Sequence, residues 1–255
     1  MLIDFIKRRY LTIIISALAF LFAGAVTFAG LGYRYIKLEG GIKFFGKTDS
    51  GYPITGKIFY PDGAVGKVDI LKGEILFSDG GVYKGELEGL ERHGYGKMTY
   101  ADMSVYEGDF QNDSAMGFGV LIKADSEKYT GEFLDGKKHG NGSCIYSDGS
   151  IYNGNFENDL RSGKGTIKYA DGSIYEGYFL NNLKHGSGTF IYSNGDSYSG
   201  NFSKDMKSGE GTYSWAVGTR YEGSFSEDKM HGRGKMYFPD GSLFEGEFKN
   251  GKPVK

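Results

Sequence analysis

The chain has 255 residues, of which 43 are glycine, with a formal net charge of −2 and an aromatic content of 16%. Near-neutral charge without a Lys/Arg stripe excludes the electrostatic footprint of a nucleic-acid binder, and one cysteine, Cys144, excludes an intramolecular disulfide framework. Glycine at more than twice the usual share of roughly 7% would suit a disordered chain, but aromatic residues in strict register argue for ordered packing.

Residues 1–9 form a short tail ending in Lys7, Arg8 and Arg9, and no charged side chain follows until Arg34. The most apolar part, Leu11 to Leu31, would make a helix of ~31 Å, matching a hydrocarbon core of ~30 Å. Tyr10, Tyr33 and Tyr35 sit where interfacial aromatics are expected. Residues 10–33 are therefore expected to be a single transmembrane helix. A signal peptide cleaved after Ala25 or Ala29 is the competing reading, and the uncharged run is longer than the ~7–15 residues of a signal core. The denser basic cluster precedes the span, so the amino terminus is expected inside and the remainder outside a cell membrane.

Residues 34–82 read as a juxtamembrane region of degenerate repeats. Gly56 to Gly63 mirrors Gly234 to Gly241, with Pro61 answering Pro239, and Gly73 to Tyr83 mirrors Gly96 to Tyr106.

From residue 83 to 255 a fixed 23-residue period takes over. Tyr83, Tyr106, Tyr129, Tyr152, Tyr175, Tyr198, Tyr221 and Phe244 open the units, each followed two residues later by glycine and four later by Leu87 or phenylalanine. Such a period marks a repeat array in which each unit packs on its neighbours. Within one unit, alternating runs flank Asp171-Gly172, a dipeptide suited to a two-residue type I′ hairpin turn. The other connection, Glu157 to Ser162, reads as longer and polar. Two strands per period give an all-β, elongated, twisted single-layer antiparallel meander. Tyrosine, glycine and phenylalanine share one face and polar residues the other. Rings lying over glycines on the adjacent strand explain why the two residue types recur together.

These residues resemble the MORN repeat (membrane occupation and recognition nexus). Its pattern of Tyr-x-Gly-x-Trp/Phe and then His-Gly-x-Gly is met at Tyr129, Gly131 and Phe133 with His139, Gly140 and Gly142. It is met again at Tyr175, Gly177 and Phe179 with His185, Gly186 and Gly188, and at Tyr221, Gly223 and Phe225 with His231, Gly232 and Gly234. Leu87 departs at the aromatic slot, and Met116, Ser162 and Ser208 depart at the histidine slot. The resemblance implies a twisted β-ribbon and a scaffold or adaptor role, often near membranes, with no activity of its own.

Chemistry is hard to place on this pattern. His93, His139, His185 and His231 lie 46 residues apart, four strands or ~19 Å, too far to share a zinc ion within one chain. The Gly-x-Gly pairs recur in each unit without the following helix a phosphate loop needs, and Cys144 fills a core slot. No catalytic, cofactor or metal site is expected, and no enzyme. The expectation is a membrane-anchored scaffold, held by Leu11 to Leu31, whose aromatic-glycine face meets a protein partner or a second copy. Its candidate contacts are Tyr129, Phe133, Tyr152, Phe156, Tyr175, Phe179, Tyr198 and Phe202. The alternative is a cell-surface carbohydrate module, or one for anionic lipid head groups using Lys137, Lys138, Lys184, Lys204 and Lys207.

Overall fold

The computed structural model of the protein describes residues 32–254. The tail and nearly all of the expected transmembrane span lie outside those residues, and Tyr33, assigned to the end of the span, instead opens a strand. Among the described residues no helix is long and apolar enough to cross a membrane.

The chain divides into two units between Ala124 and Asp125. The first runs β1 (Tyr33–Lys37), a 3-10 turn (Glu39–Gly41), β2 (Lys43–Asp49), β3 (Tyr52–Phe59), β4 (Val65–Asp69) and β5 (Glu74–Phe77). It continues with β6 (Val82–Glu88), β7 (Glu91–Thr99), β8 (Val105–Gln111) and β9 (Ser114–Ile122). The second unit holds β10 (Lys128–Leu134), β11 (Lys137–Ile145), β12 (Ile151–Glu157), β13 (Leu160–Lys168), β14 (Ile174–Leu180) and β15 (Leu183–Ile191). After these come β16 (Ser197–Ser203), β17 (Met206–Ser214), β18 (Arg220–Ser226), β19 (Lys229–Tyr237), β20 (Leu243–Lys249) and β21 (Lys252–Pro253). Within each unit consecutive strands pair antiparallel, as the alternating pattern requires.

The register explains the repeated letters. Gly154 pairs with Gly165, Gly165 with Gly177, Gly177 with Gly188 and Gly188 with Gly200, so the glycines form one bare row across the strands. The tyrosine rings collapse onto that row. A Cβ built on Gly188 would lie 2.6 Å from Cε2 of Tyr175, and one on Gly177 would lie 2.6 Å from the Cα of Gly188. In the second unit each tyrosine ring then meets two phenylalanines edge-on: Tyr175 stands 5.1 Å from Phe179 and 5.1 Å from Phe202 of the next repeat. A single layer thereby makes its own core, with Tyr175 0% and Phe179 3% exposed.

Two details differ from the sequence reading. The pairing slips between Gly177 and Tyr178, and the first glycine of each pair absorbs the slip as a bulge, with Gly186 at φ +64°. Only the second glycine of the pair carries the ring. The turns are also exchanged. Asn158 and Asp159 both take positive φ (49° and 70°) between paired Glu157 and Leu160, which is the two-residue type I′ geometry. At Asp171-Gly172 only Gly172 is positive (φ 90°). Its N–H donates to the Tyr169 carbonyl at 3.0 Å, and the Tyr169 N–H donates to the Ser173 carbonyl at 2.8 Å. That is a three-residue loop closed by a glycine bulge.

The bulge also explains why the opening residue is tyrosine. It leaves a carbonyl out of the ladder, and the Tyr175 hydroxyl donates to that carbonyl, on Tyr178, at 2.9 Å. Tyr129, Tyr152 and Tyr198 do the same to Glu132, Asn155 and Asn201. Where Phe244 replaces tyrosine, the Val254 N–H donates to the matching Glu247 carbonyl at 2.8 Å instead. The device reaches back into the first unit, where the Phe44 ring covers paired Gly46 and Gly56.

Candidate interaction surfaces

The eight residues read as a partner face are brought together by the second unit, but as its core. Tyr129, Tyr152, Tyr175 and Tyr198 are 0% exposed, and Phe133, Phe156, Phe179 and Phe202 are 3–4% exposed. They cannot themselves touch a partner in this fold. The expectation took rings over glycine to cover only part of the face, whereas the rings and the cations above them close it.

What covers the rings is a row of cations at one repeat position. Lys138 sits 5.3 Å from the Tyr129 ring centre, Arg161 5.2 Å from Phe179, Lys184 4.9 Å from Phe190 and Lys207 4.8 Å from Tyr213. Burial pulls the Lys184 and Lys207 ammonium groups below the usual lysine range, with nearby Asp205 and Asp228 opposing it for Lys184 and Asp228 for Lys207. Lys138 is further held by Glu127 at 2.6 Å, beside buried Cys144, whose thiol is pushed up chiefly by burial. Three of the five lysines considered for lipid head groups are therefore spent on aromatic rings, while Lys137 and Lys204 remain exposed.

The same residues lock each repeat to the next. The backbone N–H groups of Lys138, Arg161, Lys184 and Lys207 donate at 2.8–2.9 Å to the side-chain oxygens of Asp159, Asn182, Asp205 and Asp228, each 21 residues later. The returning N–H of Asp159 reaches the Lys138 carbonyl at 3.0 Å. The signal for this bolt was a basic residue and an Asp or Asn that both recur every 23 residues.

Beside the cations runs an outer aromatic row that is only half-buried: Tyr146, Tyr169, Phe190, Tyr192, Tyr213 and Trp215. Tyr169 stacks on Phe190 at 5.7 Å, Phe190 meets Tyr192 at 4.4 Å, Tyr192 meets Tyr213 at 5.9 Å and Tyr213 meets Trp215 at 4.6 Å. From Tyr169 to Trp215 the rings form a continuous ladder along the accessible edge of the aromatic side.

The opposite face is polar. From β11 to β16 it forms an open groove of about 760 Å³, floored by glycines and lined by asparagine, serine and threonine with Lys164, Glu176 and Tyr178. Towards β20 the chemistry changes to charged cross-strand pairs, Arg233 with Glu247 at 3.4 Å and Lys235 with Glu245 at 3.3 Å.

The histidines converge on nothing. His93 lies 3.3 Å from Glu88, and among the described residues no group of three or more His, Cys, Asp or Glu could hold a metal.

Compared with known proteins, the chain matches the family model of the MORN repeat at residues 83–102, 106–128, 129–151, 152–174, 175–197, 198–220, 221–243 and 244–254. No curated protein matches it. Among solved structures it is similar to the TCP10 domain of Danio rerio CPAP in complex with a peptide of Danio rerio STIL. That match has 13% identity and a TM-score of 0.41 over 85% of this chain and 99% of the other. It is also similar to the SAS-4 (dCPAP) TCP domain in complex with a proline-rich motif of Ana2 (dSTIL) of Drosophila melanogaster. There the identity is 13% and the TM-score 0.30, over 85% of this chain and 90% of the other. Likeness at this level carries no functional argument.

Proposed function

The chain belongs to the MORN repeat proteins, and from that premise we propose that it is a non-enzymatic scaffold, anchored in a membrane by Leu11 to Leu31, whose repeats engage a protein partner or a second copy. The reading is carried by the outer aromatic ladder from Tyr169 to Trp215, flanked by Lys184 and Lys207. Half-buried aromatic rings with cations beside them are the composition of interaction hot spots, because they offer large contact area at small entropic cost. Phe190 rests 6.3 Å from the buried Tyr175 ring, and the ladder rings pack on one another, so the surface is pre-organised. It takes over the role first given to the buried rings.

A photo-crosslinking residue in place of Tyr192 in the membrane-bound full chain tests this reading. A discrete protein adduct is expected there and not from the same probe at Glu222, on the opposite face. Adducts from Glu222 alone would remove the ladder from the account. Anchoring is tested by alkaline extraction of membranes: the intact chain stays in the pellet, and release of a shortened chain would favour a cleaved signal peptide.

A further inference from the structure

The polar groove is not used by the scaffold reading, and its chemistry differs from the rest of its own face. At the positions facing it, the repeats place Asn141, Asn153, Asn155 and Asn201 where the later repeats place Glu210, Glu222, Arg233, Glu245 and Glu247. In the later stretch the charges satisfy one another across strands. In the groove, among the described residues, the four asparagine amides make no side-chain hydrogen bond. Each offers two donors and an acceptor. Lys164 and Glu176 cancel in charge. Tyr178, 41% exposed, is the one aromatic ring among them, on the repeat slot that Asn155 and Asn201 occupy on either side.

We propose that this groove binds a neutral glycan strand lying across β11 to β16. Six strands at the usual spacing span ~24 Å, room for several sugar rings. Asn155, Tyr178 and Asn201 recur every second strand, ~10 Å apart, close to the period of an extended disaccharide. A sugar presents neighbouring hydroxyls that pair with both ends of an amide, and a C–H face that lies on a phenol ring. Few, well-placed polar groups around an otherwise bare floor are how a site fixes orientation. The glycine row lets the strand approach the backbone closely. An extended peptide is the poorer fit. Its backbone would seek a sheet edge rather than a sheet face, and the groove has no apolar pockets for its side chains. An anionic polymer would find no excess of positive charge.

The test is isothermal titration of the full chain, in a detergent without a sugar head group. The probes are the neutral hexaoses of β-1,4-glucose, β-1,4-N-acetylglucosamine, β-1,4-mannose, β-1,4-xylose and β-1,3-glucose. At least one is expected to bind, with an affinity that changes less than twofold between low and high salt. Tyr178→Ala should weaken it at least tenfold and the pair Asn153→Ala/Asn155→Ala at least fivefold, while Glu245→Gln in the charged stretch stays within twofold. All of these side chains sit off the aromatic core, and unchanged unfolding midpoints show that the variants fold. The proposal is overturned if none of the five binds, if binding survives both groove variants, or if an uncharged extended peptide binds there instead. None of those results touches the Tyr192 crosslink, so this inference and the scaffold reading fail separately.

Discussion

The two faces of the second unit are built from the same strands and obey opposite rules. On the aromatic side the same letters return every 23 residues, and there Tyr152, Tyr175, Tyr198 and Tyr221 are 0% exposed. On the polar side the equivalent positions change from repeat to repeat: Asn153, Glu176, Ser199, Glu222 and Glu245 share one slot. The difference teaches that repetition within this chain marks what builds the sheet. A ring wedged between two glycine backbones tolerates little but another ring, as Phe44 and Phe244 show, whereas the polar positions are free to vary.

Experiments on both faces would break or sharpen that contrast, and the largest effects belong to the aromatic side. Tyr175→Ala empties the space between Phe179 and Phe202 and should cost ~3–5 kcal/mol, read as a fall in the denaturation midpoint. Gly188→Ala should cost about 3 kcal/mol, because the new methyl meets the Tyr175 ring and the Gly177 backbone faces it across the row. A near-neutral result for either would mean that the ring does not lie on the glycine row.

Alkaline titration tests the same burial without mutation. Burial pushes the hydroxyls of Tyr83, Tyr152, Tyr198 and Tyr221 up to about 12. A raised phenol pKa means that the fold prefers the protonated form. Its contribution is complete below the unfolded value of ~10 and is lost as pH rises through about 12. Unfolding is therefore expected to begin only above pH ~10, with tyrosinate absorbance rising in an early phase from exposed rings and a late one coincident with unfolding. One phase at the ordinary value would contradict the buried core.

Tyr175→Phe keeps the ring and removes only the donor to the Tyr178 carbonyl, so ~1–2 kcal/mol is expected. The same change at position 221 should behave alike, whereas Phe244→Tyr should gain little, because Val254 already serves that carbonyl. At the small end, Asn153→Ala on the polar face should shift stability by less than ~0.5 kcal/mol.

Much of this fold is legible in the sequence. The 23-residue period places β6 to β20 as hairpins, and the pairing of glycine with aromatic residues anticipates rings over bare backbone. The turns were misread because Asp-Gly suits both a type I′ turn and a three-residue loop ending in glycine. Asn158-Asp159 lacks the glycine that usually advertises the type I′ geometry, and it is fixed instead by the Lys138 backbone of the preceding repeat. The candidate contacts Tyr129 to Phe202 were misplaced because sequence alternation assigns a face and says nothing of whether that face is covered. Lys138, Arg161, Lys184 and Lys207, spaced by the period, already marked the cover. The polar face was legible from the alternation, but the groove was not: its amides look like any solvent-facing strand until the register aligns them.

Residue-resolved tyrosine nitration of the native full chain, mapped by mass spectrometry, tests most directly the claim that the repeated rings are core rather than contact surface. Tyr178 and Tyr95 should be modified readily and Tyr129, Tyr152, Tyr175 and Tyr198 spared until the chain unfolds. Modification of those four at the rate of Tyr178 in the folded protein would contradict the account and return the aromatic-glycine face to the role of an open binding surface.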